Sequence, residues 1–331
     1  MHSDPELVCS RPDVRATLHE VVAHTGRRMI DILVTGAGGA LGSVLMRVLS
    51  EAHKSAYGLI SEHGPAPDVG KVLRVDLTDP DSYRERILGL SPRVIIHLAA
   101  ISRPAEVLRD PDLGHAVNVE ATANLVDLSA RMGSRFIYAS TDMVFDGEGS
   151  GAPYSETDAT EPGTLYGRSK LTGECYALAY ARSLVIRLPL MYGIPEASRE
   201  PTFFESILKA LRTGEPIKLF EDELRSPLWL DDAAHACLRV AHDKLTGVLH
   251  VPGPEPLSRL EMGQRLAAAI GCSTAPLVAA KCADLAGPEP RPRDLRLDDS
   301  RYRAHFGAAA GRDIQTALPL LLARGPHRLL S

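Results

Sequence analysis

Two side chains able to take part in proton transfer stand four residues apart in PGTLYGRSKLTGECY (162–176): Tyr166 and Lys170. Four residues make about one helical turn, so both leave the same helix face and can meet at one ligand. A free phenol ionises near pH 10 and exchanges its proton poorly at neutrality, whereas a neighbouring ammonium draws it toward the working range. Tyr and Lys at this spacing also decorate many solvated helix faces. Their meaning depends on what the rest of the chain places beside them.

Upstream stands TGAGGALG, where Gly36, Gly39 and Gly42 form G-x-x-G-x-x-G between a strand-like run, MIDILVTG, and a helical one, ALGSVLMRVLSEA. Such glycines permit a tight turn, close approach of backbone to a pyrophosphate, and close packing of helix on strand. The helix N-terminus then offers N–H groups and a positive dipole to phosphate. Its place at the opening of a βαβ unit makes this a dinucleotide loop.

The elements needed to position these residues are also readable. SAYGLI, VLRVDL, VIIHLAA, RFIYAS and LVIRLPL read as further strands, separated by helical stretches such as ATANLVDLSARM. That alternation predicts an α/β fold with a doubly wound parallel (Rossmann) sheet. Beyond Tyr192 prolines recur, and helices such as FFESILKALRTG alternate with isolated strands, IKLF and VLHV. These predict a smaller C-terminal substrate lobe over the carboxyl ends of the strands, where open α/β sheets bind ligands. The expected division is an appendage over 1–28, a dinucleotide-binding domain over 29–190, and a region over 191–331 that is mainly lobe, with segments returning to the sheet. Met29 is an alternative start.

Charge and composition narrow the function. A net charge of −5 without a basic stripe argues against nucleic acid or an anionic membrane as partner. Five scattered cysteines (Cys9, Cys175, Cys237, Cys272, Cys282) without a C-x-x-C suit reduced thiols in the cytoplasm. No run is long and apolar enough to span a bilayer, the first residues lack a signal-like apolar core, and no His/Cys/Asp cluster has metal spacing. His97 is expected to be packed at a strand end, Asp232 to cap a helix, and the SETDATE carboxylates to lie in a solvated loop.

From Ser140 the chain reads STDMVFDGEGSGAPYSETDATEPGTLYGRSKLTGE. The strings S-T-D-x-V-F-D-G, P-Y-x-E-x-D and P-x-x-x-Y-G-x-S-K-x-x-G-E, in that order, resemble the dTDP-4-dehydrorhamnose reductase family of extended short-chain dehydrogenase/reductases. That family includes the branch of the methionine adenosyltransferase regulatory subunit. The resemblance implies a catalytic triad. Tyr166 donates a proton to the substrate carbonyl as hydride arrives from nicotinamide, Lys170 binds the nicotinamide ribose, and Thr141 hydrogen-bonds the carbonyl oxygen. It implies cofactor contacts from Gly36, Gly39, Ala40, Leu41 and Gly42, from Ser61 and His63, from Asp76 and Leu77, and from Ala99 and Ala100. Ser140, Tyr166, Lys170 and Leu188 complete that set, with Asn118 as support. Substrate contacts fall to Thr141, Met143, Leu190 and Arg225, the last reaching a diphosphate or pairing with a carboxylate.

The implied activity is NAD(P)H-dependent reduction of a nucleotide-linked 4-keto-6-deoxysugar. The alternatives are an epimerase or dehydratase of the same fold, or a non-catalytic cofactor-binding regulatory subunit. Thr141-Asp142-Met143 lacks the T-D-E of a 4,6-dehydratase. Met143 and Leu190 replace a tyrosine and a tryptophan common in the reductases, Asp294 and Leu295 replace an Asn and a Ser, and RLPLMYG and RSPLWLDDAA are nearer the regulatory branch. No aspartate ends the second strand in GLISEHGP, which favours NADP over NAD, although Glu62 could bind a ribose 2′-OH. A homodimer through helices flanking the Tyr166 helix is a further expectation from the family.

Overall fold

A computed structural model describes residues 29–324 apart from 150, 199, 285 and 286. The expected appendage over 1–28, and Cys9 with it, lies outside the described residues. Residues up to 188 supply β1 (Ile32–Thr35), β2 (Ala56–Ile60), β3 (Lys71–Arg74), β4 (Val94–His97), β5 (Arg135–Thr141) and β6 (Ser183–Leu188). The residues after 190 add β7 (Met191–Tyr192), β8 (Ile217–Phe220), β9 (Leu224–Arg225), β10 (Leu228–Trp229), β11 (Gly247–His250), β12 (Leu257–Ser258) and β13 (Leu277–Ala280).

Seven strands form one parallel sheet in the order β11-β6-β5-β4-β1-β2-β3. The chain winds outward from β1 to β3, then crosses back to lay β4 on the other side of β1. The carboxyl ends of β1 and β4 therefore diverge at a topological switch point, which opens a crevice there. The doubly wound Rossmann sheet read from the sequence is present, but VLHV is not an isolated lobe strand. It is β11, hydrogen-bonded to β6 through Val248↔Val185 and Leu249↔Ile186. The expected IKLF strand is β8, paired in parallel with β13 outside the main sheet. Two further two-stranded pairs, β7 with β10 and β9 with β12, complete the lobe.

Both faces of the sheet are covered, which explains the continuous apolar runs of its central strands. β5 is buried along its whole length, with Ile137 and Ala139 in one core and Phe136 and Tyr138 in the other. Helices start where the sequence supplies caps. Thr164 Oγ1 accepts from Gly167 N ahead of the Leu165–Leu178 helix. Thr202 with Glu205, and Ser258 with Glu261, form capping boxes. Asp232 is not the expected cap. The Leu230–Ala241 helix begins after Trp229, and Asp232, in its first turn, accepts from Arg312 N at 2.8 Å.

Candidate active site

The switch-point crevice is built from the glycine loop upward. Gly36 has φ +69°, and a Cβ there would lie 2.7 Å from Ala99 N, while a Cβ on Gly42 would lie 2.1 Å from Gly36 O. Both positions require glycine, and both bring β1, β4 and the Ala40–Glu51 helix together. That helix starts at Gly39 with no side-chain cap and no acidic residue in its first turn. Its first N–H groups, at Ala40, Leu41 and Gly42, are the orphan donors that a phosphate satisfies. The residues present fit a dinucleotide.

The β2 end lies toward one side of this loop. Ser61 and His63 are exposed, and the Arg74 guanidinium holds their turn by donating from Nη1 to the carbonyls of Ser61 (3.2 Å), Glu62 (2.6 Å) and Gly64 (2.9 Å). Sequence reasoning missed Arg74. Its signal is the pairing register, which sets Arg74 opposite Ile60, the residue before Ser61. β3 ends at Arg74, so the expected VLRVDL strand is shorter and Asp76 sits beyond it; its Oδ1 accepts from Thr78 N (2.9 Å) and Thr78 Oγ1 (2.7 Å). Leu77 beside it is half-buried.

Beneath the crevice, Ala99 N–H donates to Thr35 Oγ1 (3.1 Å), which contacts His97 Nδ1 (2.6 Å). On the other side of the ring, His97 Nε2 contacts Thr122 Oγ1 (3.0 Å), whose hydroxyl donates to Asn118 O (2.8 Å). These partners assign the proton to Nε2, and burial pushes the His97 pKa down to about 3, with the Lys170 charge adding to the effect. His97 is packed at the end of β4, fully buried. Asn118 lies in a π-helical turn, Ala116–Glu120, and ties the β4 loop to the Tyr166 helix. Its Oδ1 accepts from Ile101 N (2.8 Å) and its Nδ2 donates to Ser169 Oγ (2.9 Å). Ala99 and Ala100 are half-buried along the crevice.

Tyr166, Lys170 and Glu174 form an i, i+4, i+8 stripe on the Leu165–Leu178 helix, with 8 %, 3 % and 1 % exposure. A solvated face is excluded. The stripe lies against β5, with Lys170 Nζ 4.1 Å from the Tyr138 ring centroid, an attractive cation–π geometry. Burial pushes the Lys170 ammonium down to about 7, and the Glu174 charge opposes that shift. Burial also raises the Tyr166 phenol above its ordinary range, with a Thr141 hydrogen bond opposing and the Asp142 charge adding to the rise. The expected lowering of the phenol is thus outweighed here by desolvation.

Glu174, which sequence reasoning did not single out, joins three elements. Its Oε1 accepts from Ser140 Oγ on β5 (2.5 Å) and from Arg187 Nε on β6 (3.0 Å), and its Oε2 from Arg187 Nη2 (2.8 Å). His250 Nε2 on β11 lies 3.4 Å from Arg187 Nη1. Ser140 and Leu188 are accordingly buried.

Thr141 ends β5. Its Oγ1 accepts from Met143 N (3.2 Å) and donates to Asp142 Oδ1 (3.0 Å). Met143 packs with Val144, Phe145, Tyr154, Leu295 and Leu297, and Leu190 lies half-buried against the main core. Arg225 is 5 % exposed. Its guanidinium donates to Glu223 Oε1 (3.0 Å) and to the carbonyls of Leu224, Pro292 and Arg293. Of the two roles open to it from sequence, carboxylate pairing is the one this geometry displays. Glu156 of SETDATE is half-buried rather than solvated, and its Oε1 accepts from His250 N at 2.8 Å. Among the described residues, no group of three or more His, Cys, Asp or Glu side chains could hold a metal, and no helix is long and apolar enough to cross a membrane.

A protein-family profile described as the RmlD substrate binding domain matches residues 29–325. The chain belongs to this family. Bos taurus methionine adenosyltransferase 2 subunit beta is 31 % identical over 276 residues, covering 82 % of this chain and 80 % of that protein. The probable low-salt glycan biosynthesis reductase Agl14 of Haloferax volcanii is 31 % identical over 279 residues, covering 83 % and 92 %. The dTDP-4-dehydrorhamnose reductase of Bacillus anthracis, solved with NADP, superposes with a TM-score of 0.78 at 20 % identity, covering 89 % of this chain and 99 % of that one. A methionine adenosyltransferase subunit and a probable glycan biosynthesis reductase are thus equally identical to this chain.

Proposed function

We propose that this chain is a nicotinamide-dependent reductase of a nucleotide-linked keto-sugar, of the 4-keto-6-deoxy class. The observation that carries this reading is the burial of Tyr166 and Lys170 on one helix face beside Thr141, next to a glycine loop with uncapped helix N–H groups. The uncapped N–H groups at Ala40, Leu41 and Gly42 would hold the phosphates of a nicotinamide dinucleotide, which when bound would supply the hydride for the carbonyl carbon. Tyr166 gives its phenolic proton to the carbonyl oxygen, so the product is an alcohol and the phenol is reprotonated from solvent. Lys170 places a positive charge beside the site and stabilises the phenolate left behind. Thr141 orients the carbonyl oxygen. Ser61 and His63, in the turn held by Arg74, favour NADP, since no aspartate closes β2.

The test is NADPH and NADH oxidation by purified protein with and without dTDP-4-keto-6-deoxyglucose. Oxidation only in the presence of the keto-sugar supports the reading, and Tyr166→Phe should then lose at least about a hundredfold in kcat while retaining NADPH affinity. Near-normal turnover by that variant would falsify the assignment of Tyr166. A second reading, a cofactor-binding regulatory subunit, is favoured by the methionine adenosyltransferase relative and by Met143 and Leu190. Cofactor binding without turnover, together with a stoichiometric partner enzyme on co-purification, would select it.

A further inference from the structure

We propose, resting on the reductase reading, that Asp142 is a positioning residue whose own protonation decides whether the Thr141 hydroxyl donates to it or to the substrate carbonyl. Thr141 has one hydroxyl hydrogen, and Asp142 Oδ1 takes it at 3.0 Å while Met143 N–H donates into the same oxygen. With Asp142 ionised, that hydrogen is held by a charge-assisted bond and is withheld from a carbonyl oxygen. With Asp142 neutral, the carboxylic O–H donates to Thr141 Oγ1. That oxygen can accept both this bond and the one from Met143 N, and its own hydrogen is released toward the side of the Tyr166 phenol and the substrate carbonyl.

The surroundings leave this carboxylate poorly compensated. Asp142 is 4 % exposed, and its Oδ2 is buried without a hydrogen-bond partner among the described residues. The charged and titratable groups facing it are Tyr166 from the helix, Arg225 from β9, Glu223 before β9, and Arg259 from the Arg259–Ile270 helix. Arg225 Nε stands 3.7 Å from Oδ2, too far for a hydrogen bond. Glu223 competes for the same cations and binds three arginines, Arg225, Arg259 and Arg291, at 3.0, 3.0 and 3.2 Å. The two carboxylates respond in opposite directions. Glu223 is held below its ordinary value, whereas burial pushes Asp142 up to about 6 despite Arg225 and the Thr141 hydrogen bond.

The pH profile of kcat/KM tests this, measured for wild type and Asp142→Asn with NADPH and dTDP-4-keto-6-deoxyglucose. Wild-type kcat/KM is expected to fall as pH rises through about 6, because only about one Asp142 in a hundred stays neutral at pH 8. The amide of the Asp142→Asn variant mimics the neutral acid through its N–H donor, so the limb should vanish and the variant should exceed wild type at pH 8. Superimposable profiles, or a folded Asn variant inactive at every pH, would overturn this role while leaving the reductase reading in place. Absence of turnover in both proteins, with NADPH binding retained, overturns the reductase reading and this role with it. A substrate-free measurement checks the titration itself. A folded pKa raised from 3.8 to about 6 means that the native chain binds more protons between those values, so wild-type stability falls as pH climbs through that window. The Tm of Asp142→Asn should therefore gain on wild type from pH 3.8 to 6 and hold its lead above. A constant difference across that range would refute it.

Discussion

At the residue scale, the candidate site sets a cation against its own burial. Lys170 is 3 % exposed, and its pKa falls from 10.5 to about 7 because desolvation outweighs the pull of Glu174. Between those two values the unfolded chain binds more protons than the native one, so this lysine makes stability rise with pH from about 7 to 10.5. Replacing it by methionine removes the desolvation cost. Lys170→Met should lose at least about a hundredfold in turnover. It should also gain at least about 1 kcal/mol at neutral pH, roughly 2–4 °C in Tm, by a margin that shrinks toward pH 10.5. Calorimetry across that range decides it, and a variant less stable than wild type at pH 7 would show that Lys170 is a net structural asset. That Tyr166 and Lys170 share one helix face was legible because a one-turn separation is written directly in the sequence. Glu174 was equally in phase at i+8, but a lone carboxylate on a helix ordinarily faces water. Only the partners on β5 and β6 reveal it as buried.

At the element scale, Glu174 and Arg187 pin the Tyr166 helix to β5 and β6 in a nearly solvent-free setting, with side chains 2 % and 5 % exposed. A buried pair contributes little against a well-packed apolar replacement, but removing one member strands the other charge. Glu174→Ala should therefore cost about 3–5 kcal/mol. A double variant, Glu174→Leu with Arg187→Met, should recover most of that loss. Urea unfolding of both proteins checks this, and a double variant no better than the single one would place the cost in packing. The main elements were legible because long strand-helix alternation is a strong periodic signal. β11 was assigned to the lobe because four residues, GVLH, carry no mark of their partner, and β6 lies about sixty residues earlier in the chain. The two-residue strands β7, β9, β10 and β12 are too short for any periodicity. Asp232 misled because an aspartate beside a helix start looks the same at the cap as three residues in.

At the scale of the whole molecule, the lobe and one face of the sheet share a single apolar core. Ile32, Ile96, Ile137 and Ile186 of the sheet belong to the same cluster as Phe204, Leu219, Met262 and Leu266 of the lobe. The Ala40–Glu51 helix packs on Leu230–Ala241, and Arg47 and Arg324 both bind Asp231. A core that crosses the expected boundary near residue 190 couples the two halves, so they should unfold together despite the length of the chain. Trp229, the single tryptophan, sits 2 % exposed in that shared core, with the guanidinium groups of Arg312 (5.1 Å) and Arg324 (5.8 Å) near its ring, and its fluorescence reports on packing around β10. Far-UV circular dichroism reports on the strands and helices of both halves. The two probes should give the same urea midpoint, and NADPH, bound at the glycine loop on the β1 side, should raise both by the same amount through mass action. Two separated midpoints, or a cofactor shift seen by circular dichroism and not by Trp229 fluorescence, would show that the lobe opens as its own unit and that the shared core does not bind the halves into one.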